Sequence, residues 1–196
     1  QVYGSGEAYV VYGHAPDATG VVQGGTGDDP LTGSVADERL LGGAGADLLN
    51  GAGGADVLLG GAGDDVLVFD AADLRLDGGN GRDTLRLDAS GLVLDLTQAG
   101  GPRLDGIERI DLGGGGNTLV LDVRDVLALP DGNAAWLSAS ARQLLVTGEA
   151  GDTVQSLGQG WVRGADRVLD GESYASFTVA GSSAQLLVDL DLTRQV

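Results

Sequence analysis

The chain has 196 residues, 29 of them Asp or Glu against 11 Lys or Arg, giving a net charge of −18. That balance repels nucleic acid and anionic membrane surfaces and suits a chain that collects cations, while 42% hydrophobic residues is too many for an acidic disordered tail. There is no Cys, which excludes disulfides and thiolate metal sites, and no apolar run approaches the roughly 20 residues of a membrane-spanning helix.

Residues 1–23 hold two strand-like runs, Ala8-Tyr9-Val10-Val11-Tyr12-Gly13 and Val21-Val22. The chain starts at Gln1 without Met and without the basic-then-apolar layout of a cleaved export leader, so it is expected to be a piece of a longer one. The stretch from Gly4 to Gly13, GSGEAYVVYG, resembles the end of an FG-GAP propeller-blade repeat, which implies a propeller or other repeats upstream; an ordinary strand pair is the alternative. His14 is the sole histidine and lacks the partners of a triad or a zinc site, so it reads as a loop residue.

From Gly24 the chain falls into rows of nine: GGTGDDPLT, GSVADERLL, GGAGADLLN, GAGGADVLL, GGAGDDVLV, FDAADLRLD, GGNGRDTLR and LDASGLVLD. The eighth residue of every row is Leu: Leu31, Leu40, Leu49, Leu58, Leu67, Leu76, Leu85 and Leu94. Neither a helix nor a plain alternating strand has a period of nine. Odd rows carry the full glycine pattern: Gly24, Gly25, Thr26, Gly27 and Asp29; Gly42, Gly43, Ala44, Gly45 and Asp47; Gly60, Gly61, Ala62, Gly63 and Asp65; Gly78, Gly79, Gly81 and Asp83. Even rows are weaker. Row two has Glu38 at the sixth place, row four has Gly51, Gly53 and Asp56, and row six has no glycine and Asp73 one place early.

This pattern predicts a coil of 18 residues per turn, with two tight bends and two short strands. Each Leu points inward, and equivalent rows stack roughly 4.8 Å apart. Asp29, Asp47, Asp65 and Asp83 then form one column of carboxylates that would repel at that spacing. A hard divalent cation between neighbours removes the conflict. Ca²⁺, which takes six to eight oxygens in flexible geometry, suits the bends better than Mg²⁺.

The rows resemble the RTX nonapeptide, GGxGxDxUx, the repeat of a calcium-binding β-helix. The resemblance implies that the sixth-position Asp residues of stacked rows, with carbonyls of the glycine-rich places, share each ion. Carried over, the ligands are Asp29, Asp47, Asp65 and Asp83 on one edge and Asp56 on the other. Three gaps on the good edge and one or two on the weaker one imply about three to five Ca²⁺. The roll is expected to be largely unfolded without them. Leu48, Val57, Leu59, Val66 and Val68 occupy outward seventh and ninth places. They are expected to be covered by flanking segments, or to dock the tail or a neighbouring domain.

Beyond Leu94 the rule fails, since Arg103 falls where a Leu should. Strand-like runs continue at 92–96, 107–112 and 118–123, then at 143–146, 161–162, 176–179 and 185–188, with one short helix expected over 123–129. A coil end needs a cap, and Trp136, Trp161 and Phe177 are expected in its core. GIERIDL at 106–112, RDVLAL at 124–129, GEAGDTV at 148–154 and LLVD at 186–189 resemble the C-terminal segment that follows RTX rolls in large type I secreted adhesins, where the last stretch is an uncleaved export signal.

Nucleophile–base constellations are absent from the sequence. The pairs Asp28-Asp29 and Asp64-Asp65 are explained by the repeat rather than by acid–base work, and no Gly-Lys-Ser/Thr makes a phosphate loop. The expectation is an all-β, right-handed parallel β-roll at 24–95, an N-terminal strand pair or linker at 1–23, and a calcium-free β-solenoid or β-rich cap with the secretion signal at 96–196. It would be a non-enzymatic module for calcium-dependent folding and type I secretion of an adhesin, secreted or at the bacterial surface. Its partners would be the secretion machinery and upstream domains of the same chain; it would be a monomer without nucleic-acid binding or membrane insertion. A calcium module of a secreted RTX hydrolase and a calcium-dependent ligand-binding tip are the alternatives.

Overall fold

The computed structural model describes residues 20–98, 103–129, 141–156 and 160–195. The run at 8–13, the FG-GAP-like stretch, His14 and Trp136 lie outside them. The described residues are nearly all β, with one short helix, and form two compact units: 20–85 with 103–106, and 86–98 with 107–195.

The first unit is built from β1 (Val21–Gln23), β2 (Pro30–Thr32), β3 (Arg39–Ala44), β4 (Leu48–Asn50), β5 (Val57–Ala62), β6 (Val66–Val68), β7 (Arg75–Asn80) and β8 (Thr84–Arg86). After β9 (Val93–Asp95), which belongs to the second unit, β10 (Arg103–Asp105) completes it. Two parallel sheets result, ordered β1-β3-β5-β7-β10 and β2-β4-β6-β8. Partners are 18 residues apart: Leu40 faces Leu58 and Leu58 faces Leu76, and Leu31, Leu49 and Leu67 align in the other sheet. All eight row leucines are buried. An apolar residue every nine positions therefore produces two leucine columns, one per sheet, that meet in a narrow core.

Three details differ from the expectation. The register starts before residue 24, because Val22 pairs with Leu40 and is itself buried. It ends before residue 95: the residue aligned with Leu76 is Leu104, and Leu94 pairs instead with Leu119. Strands β3, β5 and β7 run six residues rather than three, because the glycine places continue the ladder, with Gly43, Gly61 and Gly79 in register. Those glycines have φ of +115°, +118° and +99°. A β-carbon on Gly61 would sit 2.3 Å from the Gly43 carbonyl oxygen, so only glycine lets one bend lie on the last. The outward Leu48, Val57, Leu59 and Val66 are half-buried and Val68 is buried.

The second unit adds β11 (Arg109–Asp111), β12 (Thr118–Leu121), α1 (Val123–Ala128), β13 (Arg142–Thr147), β14 (Thr153–Ser156), β15 (Trp161–Arg163), β16 (Arg167–Leu169), β17 (Glu172–Val179), β18 (Ala184–Asp189) and β19 (Thr193–Gln195). One parallel sheet runs β9-β12-β14-β19. In the other, β11, β13 and β18 are parallel, β17 pairs antiparallel with β18, and β15 and β16 pair antiparallel with β17. The antiparallel meander ends the parallel progression by covering its last strand. Asp122 caps α1 through a capping box with Asp125. Phe177 is buried, but Trp161 is only half-buried, so the unit's core is mainly aliphatic: Ile110, Leu119, Leu144, Val154, Leu186 and Val188.

Candidate metal centre

The sixth-position acids stack as one column. Asp29 N–H donates to Asp47 Oδ1 at 2.8 Å, Asp47 N–H to Asp65 Oδ1 at 2.7 Å, and Asp65 N–H to Asp83 Oδ1 at 2.8 Å. One carboxylate oxygen of Asp47, Asp65 and Asp83 therefore ties its row to the equivalent row one turn earlier. The following residue closes the backbone, as in Leu48 N–H to Asp29 O at 3.0 Å and Val66 N–H to Asp47 O at 2.8 Å. The other oxygen has a different fate. Asp47 Oδ2 and Asp65 Oδ2 are buried and accept no hydrogen bond. Such a group costs about 1–3 kcal/mol if nothing meets it. At the solvent-facing end, Asp29 is half-buried and its Oδ2 accepts from Gly25 N–H at 2.6 Å.

Around those oxygens the bend is lined with carbonyls. A β-carbon on Gly42 would fall 2.4 Å from both Asp47 Oδ2 and the Gly60 carbonyl oxygen, and one on Gly60 would fall 2.4 Å from Asp65 Oδ2 and 2.5 Å from the Gly78 carbonyl. The first glycine of each row thus leaves room at a point where a carboxylate and a carbonyl of the next row converge. Among the described residues no three acidic or imidazole side chains cluster. A cation here would draw one or two carboxylates from the column and its remaining ligands from backbone carbonyls. That oxygen-only, carbonyl-rich set suits Ca²⁺.

The opposite edge has a column too. Glu38 N–H donates to Asp56 Oδ1 at 2.8 Å, and the Asp56 carbonyl in turn accepts from the N–H of the residue after Asp73, the same backbone closure as on the first edge. Asp73 therefore does stand in the sixth position, although its row has no glycine. The bend Asp70–Asp73 is one residue shorter, tied by Ala72 N–H to Asp70 Oδ1 at 2.8 Å and Asp70 N–H to Asp73 Oδ2 at 3.2 Å. Leu74 is the compensating extra residue: its N–H takes the Asp56 carbonyl at 2.8 Å, while its side chain is 60% exposed. Asp56 Oδ2 and Asp73 Oδ1 are buried without a hydrogen-bond partner. Glu38 is different: its longer side chain folds back onto the Ser34 N–H, at 2.8 Å, and the Ser34 hydroxyl. On this edge the first-glycine cradle recurs at Gly51, whose β-carbon would meet Asp56 Oδ2 at 2.2 Å. Gly54, not Gly53, makes the close approach to the earlier bend, 2.3 Å from the Ala36 carbonyl oxygen.

Of the predicted residues, the structure brings the four odd rows together on one edge and places Gly51, Gly53 and Asp56 on the other. Asp73 is the residue that row counting misplaces; the signal for it was an acid two residues before an apolar-flanked strand, with Leu74 as the slip. The fifth-position acids have a separate task. Asp28, Asp37 and Asp64 accept from the N–H of Ala46, Ala55 and Arg82, one turn on, at 2.7, 2.8 and 2.9 Å. They pin bend to bend, and their fifth-position counterparts one turn on are Ala46, Ala55 and Arg82 rather than further acids.

Burial makes the inner acids poor anions on their own. Desolvation pushes the carboxyl groups of Asp47 and Asp56 upward, and those of Asp65 and Asp73 to about 6. Neighbouring acids add to the rise: Asp29 and Asp28 for Asp47, Asp47 and Asp64 for Asp65. A cation in the column would reverse both effects at once.

Fold and site together define a parallel β-roll whose turns are joined through acid–carbonyl gaps. Residues 32–67 match the family model of the RTX calcium-binding nonapeptide repeat, in four copies. Over that span the chain is similar to the calcium-binding RTX repeat, and the flanking bends at 24–29 and 78–83 continue the same sixth-position ladder. Comparison with curated proteins gives no match.

Proposed function

We propose that this chain is a calcium-triggered folding module of a bacterial protein exported by type I secretion, an adhesin. The observation that carries the calcium part is the set of buried, partnerless carboxylate oxygens on Asp47, Asp56, Asp65 and Asp73, those of Asp47 and Asp65 converging with bend carbonyls. In calcium-poor cytosol folding would leave these acids repelling one another and desolvated, so the roll stays unfolded and can thread a channel. Outside, where modules of this kind bind with Kd of roughly 10⁻⁴–10⁻³ M, ions fill the gaps and the coil closes. Folding at the exit opposes backsliding. Support for export and for the adhesin comes from the resemblance of the 106–112, 124–129, 148–154 and 186–189 stretches to the tail of type I secreted adhesins. RTX repeats are typical of secreted proteins, in keeping with a location outside the cell.

Far-UV circular dichroism of the whole chain, titrated from chelator into millimolar calcium, tests the folding step. A strand spectrum appearing with calcium and lost on chelation is expected; a spectrum indifferent to chelation would reject it. Secretion rate of the parent protein against external calcium tests the export step, and independence from calcium would reject that.

A further inference from the structure

The second unit contains the same sixth-position ladder in a different chemistry. Leu92 N–H donates to Asn117 Oδ1 at 2.7 Å, and Asn117 N–H donates to Asp152 Oδ1 at 2.7 Å. The next residues close the backbone as in the roll: Thr118 N–H to Leu92 O at 2.8 Å, Thr153 N–H to Asn117 O at 2.8 Å and Thr193 N–H to Asp152 O at 3.0 Å. Steps of 25 and 35 residues hide this ladder from any nine-residue count.

What differs is the second atom of each side chain. Asn117 is fully buried, and its Nδ2 donates to the Leu112 carbonyl of its own bend at 2.7 Å and to the Ala89 carbonyl of the preceding bend at 2.9 Å. Asp152, also fully buried, has its Oδ2 met by Glu149 N–H at 2.9 Å. The orientation of the amide is set by its partners: Oδ1 faces a donor and Nδ2 faces two acceptors, so a flip would break all three bonds. The column also holds one carboxylate in three members, Leu92, Asn117 and Asp152, so there is no stack of like charges to neutralise.

We infer that the Asn117 side-chain amide occupies the structural place of a cation in this column, so that the rungs at Leu92, Asn117 and Asp152 close without metal. Its two hydrogens bridge carbonyls of successive bends, as an ion between rows would. The claim does not depend on calcium being the roll's cation: a roll indifferent to chelation would remove the calcium reading and leave this one standing.

Residue-resolved hydrogen exchange on the full chain, with calcium and in chelator, tests it. The amides of Leu92, Asn117, Thr118 and Thr153 are expected to stay protected in chelator. The isosteric variant Asn117→Asp replaces the two donors with an acceptor facing carbonyls; in chelator these same amides are expected to exchange roughly 10- to 100-fold faster than in the parent chain. Recovery of their protection by calcium in Asn117→Asp, but not the need for calcium in the parent, would show the amide and the ion to be interchangeable. Loss of protection at these amides when the parent chain is chelated, or unchanged protection in chelated Asn117→Asp, would overturn the inference.

Discussion

Asp65 in the roll and Asn117 in the second unit hold equivalent places: each lends an oxygen to the backbone N–H of the row before it. Asp65 then turns an unpartnered oxygen toward carbonyls, where Asn117 turns two hydrogens. The difference is one of kind. A column of acids can close only with an added charge, and its stability can therefore be switched from outside. A column closed by an amide carries its own donors and has no such switch. Both solve the same problem, that stacked bends bring many carbonyls together with few N–H groups to meet them.

The largest effect expected from breaking the comparison lies in the bends. Gly61 has φ of +118° and a backbone oxygen 2.3 Å from its β-carbon position, whereas Gly151 in the second unit has φ of +112° with nothing within 4 Å. Gly61→Ala should cost about 2–5 kcal/mol, from backbone strain and overpacking together, and Gly151→Ala about 1–2 kcal/mol from strain alone. Urea unfolding in saturating calcium compares them; equal losses would mean that the roll's turns do not touch as described.

Exchanging the chemistry of the two columns should give effects of opposite sign. Asp65→Asn removes a buried unpartnered oxygen and supplies donors where the Gly78 carbonyl lies. In chelator it should stabilise the roll by about 1–3 kcal/mol relative to the parent; in calcium it should weaken binding and reverse that order. Thermal melts in both conditions report the crossing, and the same order in both would break the equivalence of Asp65 and Asn117.

Acidity should act on the roll in two directions. Asp65 and Asp73 have carboxyl groups raised from 3.8 to about 6 by burial, so the metal-free fold holds more protons than the unfolded chain between those values. Its stability is greatest below pH 4 and falls as pH rises through about 6. Calcium must displace those protons, so calcium affinity rises through the same window. Titration calorimetry at pH 5 and at pH 7.5 should show proton release and weaker binding at the lower pH; affinity independent of pH would place the ions away from these acids.

The smallest effect concerns Ala52, which sits at φ of +70° in the second place of row four, where rows three, five and seven have glycine. Ala52→Gly should stabilise the roll by about 1 kcal/mol, read from the calcium-saturated melting temperature. An unchanged or lower melting temperature would mean that the second place of this bend is not strained.

Much of the roll was legible in the residue order because its period is short and its core one residue wide. A Leu every ninth place can serve only a coil of short strands, and an acid two places before it on alternate rows can meet only its own kind one turn away. Asp29, Asp47, Asp65 and Asp83 were therefore predictable as a column, as were the short helix before residue 130 and the strands at 143–146 and 185–188.

The rest was decided in three dimensions. Whether Asp73 joins the column depended on a one-residue slip at Leu74, which the shorter Asp70–Asp73 bend absorbs. Whether Glu38 stays open to an ion depended on Ser34 lying within reach of its longer side chain. Leu94 obeys the nine-residue rule yet pairs with Leu119, because turn length changes where the glycine bends end. The Leu92–Asn117–Asp152 column joins residues separated by unequal stretches of chain, so no period announces it. Local spacing dictates what lies one regular turn apart; hydrogen-bond partners across irregular turns are set only by how the chain closes on itself.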